Sequence, residues 1–307
     1  MSGVKGVGGN GAITNRDDDD NDGRFHDVDV LASGHWPESL RGAATGKLVD
    51  HGGKVLDKMD VTPVYVGDYW KTAPGQKIRA HNDAAMADLV KNPDVTGIWA
   101  QYGVGKATIS PSLGLPMANP KSLSQDQIEA LVKQQVLKGK FDISNHQRVF
   151  DLVLPPGCAL IAGDGSSSHA GLGGFHGSVK VAGREIYYSA IANPEKVRNE
   201  LPNSIDFNGN TADGLSIIES HELTEAATDP DVEVAERNND LSKLAWYDDV
   251  TTWAGRRGKG EIGDIPILNA ELGGDRKLAT AWGYSDGFAY QKEWSNKDKK
   301  SELKPGE

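Results

Sequence analysis

The sequence predicts an α+β (or α/β) fold in which a mixed sheet packs against a buried helix. Segments rich in β-branched and aromatic residues alternate with segments of helical periodicity. The hydrophobic fraction of 37% is enough to build a sizeable core. One helical segment, 213–228, carries apolar residues around most of its circumference, which is typical of a helix buried inside a domain.

The first half of the chain contains one predicted strand and two predicted helices. The strand covers 61–70, where β-branched and aromatic residues are concentrated, and a helix over 79–91 follows it. Ser124 and Gln127 have the spacing of a capping box and precede an amphipathic pattern. They predict a second helix that ends near Gly139.

The second half begins with β-structure and leads to the buried helix. Residues 149–154 form a predicted strand that two prolines stop, and 178–192 form a predicted hairpin that turns at Ala182-Gly183. The buried helix over 213–228 ends before Pro230, because proline disfavours a helical conformation in the residue before it. The prediction is therefore a single ordered domain.

That domain is expected to cover 50–296. The Gly- and Asp-rich segment 1–49 has the composition of a disordered arm, and 297–307 has that of a charged, solvated tail. The first twenty residues lack the apolar region of a Sec-type signal peptide, and no apolar run has the length of a membrane span. The localisation stays open at this point.

Charge and cysteine content exclude some classes of protein. A formal net charge of -11 argues against a nucleic-acid partner, because nucleic-acid affinity comes mainly from Lys and Arg. Cys158 is the single cysteine, so no intramolecular disulfide is possible. Its apolar neighbours predict a buried, inert thiol.

The segment His221–Glu225 is the strongest candidate for chemistry. Its pattern is HExxE, one letter from the HExxH of zinc peptidases, in which two histidines hold Zn²⁺ and the glutamate is the general base. Residues three and four apart share one face of a helix, and Asp229 continues this face. We therefore expect His221 and Glu225 to bind a metal ion and Glu222 to act as general base.

A third ligand has to come from elsewhere in the chain. Glu261 is the first choice and Asp264 its closest rival, with Asp229 and Asp248 as further alternatives. His176 lies in a predicted Gly-rich turn, 173–177, where it is expected to supply a further ligand or an oxyanion contact. One histidine with two carboxylates suits Zn²⁺, but its oxygen content also admits Ca²⁺ or Mn²⁺.

Several segments, taken in order, resemble the EXORDIUM-like, or phosphate-induced protein, family. The resemblance spans nearly all of 50–296 and implies a single zincin-like, metallopeptidase-like domain. Plant members of that family are secreted and linked to growth and phosphate response. In bacterial members the HELxE segment suggests a zinc-peptidase-like site. The segments are His51–Val55, Gly174–Gly177, His221–Pro230, Ala245–Asp248, Glu261–Asp264 and Trp294–Asn296.

Three interpretations of function follow. The first is a metal-dependent hydrolase, most simply a zinc peptidase, that acts on a peptide or protein substrate with Glu222 as general base. The second is a non-catalytic domain in which the metal is structural and the partner is a protein or a cell-wall glycan. The third is a metal-free site in which Glu222, Glu225 and Asp229 pair with Arg or Lys.

Overall fold

The computed structural model describes residues 46–195, 210–238, 240–253, 256–257, 260–272, 275 and 278–307. These residues form sixteen strands and six helices, and the predicted combination of helices with a mixed sheet is confirmed. The predicted arm at 1–49 lies almost entirely outside the described residues. The strands are β1 Val49–Asp50, β2 Asp60–Val66, β3 Thr108–Ile109, β4 Leu113–Leu115, β5 Ser122–Ser124, β6 Arg148–Val153, β7 Ala159–Ile161, β8 Gly174–Val181, β9 Arg184–Ile191, β10 Trp246–Tyr247, β11 Thr252–Trp253, β12 Arg256–Arg257, β13 Trp282–Ser285, β14 Phe288–Gln291, β15 Glu293–Ser295 and β16 Lys300–Glu302. The helices are α1 Ala73–Leu89, α2 Pro93–Trp99, α3 Gln125–Leu137, α4 Thr211–Thr228, α5 Val232–Asn238 and α6 Asp264–Leu272.

The central sheet has the strand order β3-β2-β6-β9-β8, and β4 also pairs with β2. β2 pairs in parallel with β3, β4 and β6, and β6 pairs in parallel with β9. β8 and β9 form the predicted antiparallel hairpin, whose turn has positive φ at Ala182 (49°) and Gly183 (82°). β8 is thus an antiparallel strand at one end of an otherwise parallel sheet.

Helices pack on both faces of this sheet. On one face Ile128 of α3 shares a hydrophobic cluster with Phe150 of β6. On the other face Met86 of α1 and Leu223 of α4 share a cluster with Val149. Because neighbouring residues of a strand point to opposite faces, Val149 and Phe150 place the sheet between these two layers.

The helix α4 was predicted at 213–228 and is observed at Thr211–Thr228. The Asn210 side chain caps it by accepting hydrogen bonds from the backbone N–H groups of Ala212 and Asp213. Every residue from Asp213 to Thr228 is buried. This helix therefore runs through the interior, and its polar side chains are removed from solvent together with its apolar ones.

Two boundaries in the first half differ from the prediction. The strand predicted at 61–70 is β2 and ends at Val66, because Gly67 adopts φ 98° and Asp68–Lys71 form a 3-10 turn. The helix predicted at 79–91 begins at Ala73, where the Thr72 side chain accepts a hydrogen bond from the Gly75 backbone N–H. The capping box of α3 and the buried state of Cys158 agree with the prediction, and burial raises the pKa of the Cys158 thiol to about 12.

The segment 297–307 is not the solvated tail that its charge predicts. It contributes β16, which pairs with β15, and Glu302 is 1% exposed. Leu303 packs into the same hydrophobic cluster as Leu89. At the other end Leu48 is buried and Val49 pairs with Tyr247, so the fold extends past both predicted boundaries. Among the described helices, none combines the length and the apolar composition that crossing a bilayer requires.

Candidate metal centre

The helix α4 brings the three residues of the HExxE motif together as its periodicity predicts. Nε2 of His221 lies 3.1 Å from Oε2 of Glu225 and 3.9 Å from Oε1 of Glu222. All three residues are at most 4% exposed. Burying a carboxylate is costly unless it is paired, hydrogen-bonded or bound to a cation, so two carboxylates beside one imidazole form a strongly anionic interior.

Asp264 completes a group of possible metal ligands with His221 and Glu225. One ligand atom from each of these residues lies within 4.8 Å of the other two. The turn before α6 creates this approach: the Gly263 backbone N–H donates to Oε1 of Glu225 at 3.1 Å, and the Glu261 backbone N–H donates to Oδ2 of Asp264 at 2.9 Å. Asp264, the second choice in the sequence, therefore replaces Glu261 as the third member of this group.

His176 belongs to a second group, with Glu222 and Glu225. Its Nδ1 lies 3.5 Å from Oε2 of Glu222 and 3.9 Å from Oε2 of Glu225. The glycines around His176 predicted a turn, but the residue lies in strand β8, where it pairs with Ser189. Glu261 lies next to this histidine, with Oε1 at 3.6 Å from Nε2. His176 and Glu261 are thus both at the centre, and only His176 belongs to a ligand group among the described residues.

Both groups have the donor chemistry of a metal site. Each offers one imidazole nitrogen and two carboxylates, a set found around Zn²⁺ and Mn²⁺. Ligands of one ion at 2.0 to 2.2 Å lie no more than about 4.4 Å apart, so each group has to contract by about 0.4 Å at most. These buried groups can therefore hold a metal ion with small side-chain movements.

The electrostatic environment differs between His176 and Glu225. Burial lowers the pKa of His176, and the contacts with Glu225 and the Asp229 carbonyl offset this in part. Burial raises the pKa of Glu225, but His221, together with His176 and the Gly263 N–H, lowers it by more. The net result is a neutral imidazole at His176 and an ionised carboxylate at Glu225, which are the protonation states that a cation requires.

The other two proposed third ligands have structural roles. The side chain of Asp229 accepts a hydrogen bond from the Ala245 backbone N–H at 2.9 Å, while its carbonyl faces His176. Asp248 accepts from the backbone N–H groups of Lys47 and Thr251, at 3.1 and 2.9 Å. Neither belongs to a ligand group among the described residues. The prediction of Asp229 or Asp248 as third ligand does not fit this arrangement.

Two further residues at the centre were missed in the sequence. Nε2 of Gln291 lies 2.8 Å from Nδ1 of His221 and also donates to the Gly263 carbonyl at 2.8 Å. Glu293 is 2% exposed, and burial raises its pKa well above the ordinary value despite the neighbouring His221. The available signal was that Gln291 and Glu293 are two apart, and so on one face of a strand, just before Trp294.

Comparisons of this chain with models of known protein families, with curated proteins and with solved structures found no match. The resemblance to EXORDIUM-like proteins therefore rests on the ordered sequence segments alone. What can be said of function comes from the geometry of the centre.

Proposed function

We propose that this protein is a metal-dependent hydrolase, most simply a zinc peptidase that acts on a peptide or protein substrate. His221, Glu225 and Asp264 hold the cation, and Glu222 is the general base. The observation that carries the proposal is the convergence of these three ligands from α4 and α6, with Glu222 beside them at 3.9 Å from Nε2 of His221. The ordered segments shared with EXORDIUM-like proteins add support.

Each residue of the helix has a distinct task in this proposal. When bound, the cation would polarise the substrate carbonyl and lower the pKa of a water molecule. Glu222 accepts the proton of the attacking water and returns it to the leaving amine. The Gly263 N–H fixes one oxygen of Glu225, which leaves Oε2 facing His221, where it would bind the cation. The imidazole in each group favours Zn²⁺ or Mn²⁺ over Ca²⁺, which prefers oxygen ligands alone.

Replacement of Glu222 tests the catalytic role. Glu222→Gln keeps the size of the side chain but removes the base, so hydrolysis of an unstructured protein or peptide mixture should fall by about 10²- to 10⁴-fold. Metal analysis should still find the cation held by His221, Glu225 and Asp264. Glu185→Gln, an exposed change on β9, is the matched control and should leave the rate unchanged. Full activity in Glu222→Gln would end the catalytic proposal.

The second candidate is a structural metal in a domain that binds a protein or glycan. The burial of the ligands favours it, since His221, Glu225 and Asp264 are 4%, 1% and 2% exposed. Under this proposal the metal-loaded protein hydrolyses nothing, Glu222→Gln has no functional effect, and His221→Ala or a chelator lowers the melting temperature. The two candidates therefore separate on whether the wild-type protein turns over any peptide at any metal loading.

A further inference from the structure

The orientation of the His176 ring determines which of its nitrogens carries the proton. Nε2 lies 3.2 Å from the carbonyl oxygen of Asp229 and 3.6 Å from Oε1 of Glu261. A carbonyl oxygen can only accept a hydrogen bond, so Nε2 is the protonated nitrogen and donates to it. Nδ1 of the neutral ring is then left with a lone pair. Histidine ligands of metals commonly use this arrangement, with one nitrogen bonded to a carbonyl and the other on the metal.

The lone pair of Nδ1 points toward oxygen atoms rather than toward a donor. Oε2 of Glu222 and Oε2 of Glu225 lie at 3.5 and 3.9 Å, and Nδ1 accepts no hydrogen bond from the described residues. His176 is 1% exposed. Three electron-pair donors that face one another in a buried space repel, unless a proton or a cation lies between them.

We propose that Nδ1 of His176, Glu222 and Glu225 form a second divalent-cation site, next to the cation at His221, with Glu225 shared between the two ions. The inference deepens the proposed function and rests on it, because Glu225 is a ligand in both. Two ions bridged by a carboxylate lie about 3.5 to 4 Å apart in hydrolases of known mechanism. Glu225 suits this role, since its Oε2 faces His221 at 3.1 Å and His176 at 3.9 Å.

Gly174 makes room for the second site on strand β8. A Cβ atom at this position would lie 2.7 Å from Cγ and from Oε1 of Glu222. Only the absence of a side chain lets Glu222 lie against the strand two residues before His176. The glycine at position 174 therefore allows Glu222 to lie within reach of Nδ1 of His176.

Occupation of the second site has a consequence for the reaction. A cation bound to Glu222 lowers the basicity of its carboxylate, so this residue accepts a proton from water less readily. Hydrolysis is therefore expected to rise as the first equivalent of metal binds and to fall as the second binds. The second ion binds Glu222, the proposed general base, and therefore inhibits hydrolysis.

Counting bound ions tests the inference without any assay of activity. Full-length, metal-free protein is titrated with Zn²⁺ by calorimetry, and the bound metal is then measured after desalting. We expect two ions per chain in the wild type, one in His176→Gln, one in His221→Gln, and weaker binding of both ions in Glu225→Gln. His81→Gln, on helix α1 and in neither ligand group, is the matched control and should keep two ions. Circular dichroism checks that each variant is folded, and His176→Asn replaces His176→Gln if the latter is not.

The possible outcomes separate the second site from the proposed function. One ion in the wild type that persists in His176→Gln overturns the second site and leaves the hydrolase proposal standing. One ion that disappears in both histidine variants means that the two rings share a single cation, which also overturns the second site. Two ions with no hydrolysis at either one or two equivalents of Zn²⁺ support the second site and reject the hydrolase. No bound ion in the wild type rejects both.

Discussion

Gln291 determines which nitrogen of His221 carries the ring proton in the present arrangement. Its amide nitrogen is 2.8 Å from Nδ1 of His221 and 2.8 Å from the Gly263 carbonyl oxygen. The carbonyl fixes the amide orientation, because a turned amide would bring two acceptors together. Nδ1 is then an acceptor, and the ring proton lies on Nε2, 3.1 Å from Oε2 of Glu225. Binding a cation at Nε2 requires the proton to move to Nδ1 and the amide to turn toward it.

Replacing Gln291 should therefore affect both stability and metal affinity. Gln291→Met keeps the length of the side chain but leaves the buried Gly263 carbonyl without this donor, which should lower the free energy of unfolding by about 1–3 kcal/mol. Because the present amide orientation holds Nδ1 as an acceptor, it opposes the tautomer that a cation at Nε2 needs, and its loss should strengthen Zn²⁺ binding. Urea unfolding in metal-free buffer and a Zn²⁺ titration measure the two effects. Gln134→Met, on the exposed side of α3, should change neither, and an unchanged Zn²⁺ affinity in Gln291→Met would refute the orienting role.

At the scale of single residues, the sequence predicted the contacts within one helix and not those between segments. His221, Glu222 and Glu225 follow from helical spacing alone. Gln291 reaches His221 across 70 positions of sequence, and no local pattern encodes that contact. The choice of Asp264 over Glu261 depends on the turn at Gly263, which spacing cannot resolve.

At the scale of elements, the hairpin and the capped helices were predictable, and the extent of β8 was not. Ala182-Gly183 mark the turn, and Ser124 marks the start of α3. Gly174 and Gly177 have no side chains to pack and so weaken the strand signal, but pairing with β9 holds both of them in the sheet. His176 lies in β8 for this reason. The segment 297–307 becomes ordered through pairing with β15, which its charge pattern does not indicate.

The turn before α6 offers a test at the same scale. A Cβ atom at Gly263 would lie 2.5 Å from Nδ1 of His221 and 2.8 Å from Oε1 of Glu225. Gly263→Ala should therefore push the turn away from α4, lower the free energy of unfolding by about 1–3 kcal/mol and weaken cation binding. Gly283→Ala is the control, because its Cβ meets its nearest neighbour at an ordinary 3.5 Å. Thermal unfolding with and without Zn²⁺ measures both effects, and equal behaviour of the two variants would contradict the close packing described for Gly263.

At the scale of the whole molecule, the centre exists only after the chain has folded. Its side chains come from β8, from α4, from the segment leading into α6 and from the strands β14 and β15. The helix α4 joins these parts, since it packs on the sheet and on β14. The apolar residues around α4 predicted that this helix is buried. They did not predict which segments pack against it, because the chain topology determines that. Binding a cation here should stabilise the whole fold, because the unfolded chain cannot assemble the ligands.

A buried carboxyl pair, which includes one residue of α4, makes the free energy of unfolding depend on pH. Asp151 of β6 and Glu219 of α4 are both 0% exposed and share a hydrogen bond, while Ser189 donates to Asp151 and Asn82 donates to Glu219, each at 2.7 Å. Burial raises the pKa of both groups, and Asp151 raises the pKa of Glu219 further. With raised folded-state pKa values, the stabilisation is complete below the ordinary carboxyl pKa and is lost as the pH rises through the folded values.

Glu219→Gln keeps the acceptor for Asn82 and gives Asp151 a permanent N–H donor, so this variant should lose that part of the pH dependence. Urea unfolding of metal-free protein at pH 5 and pH 8.5 should find the variant gaining stability over wild type as the pH rises, and an equal difference at the two pH values would mean that the pair holds no shared proton.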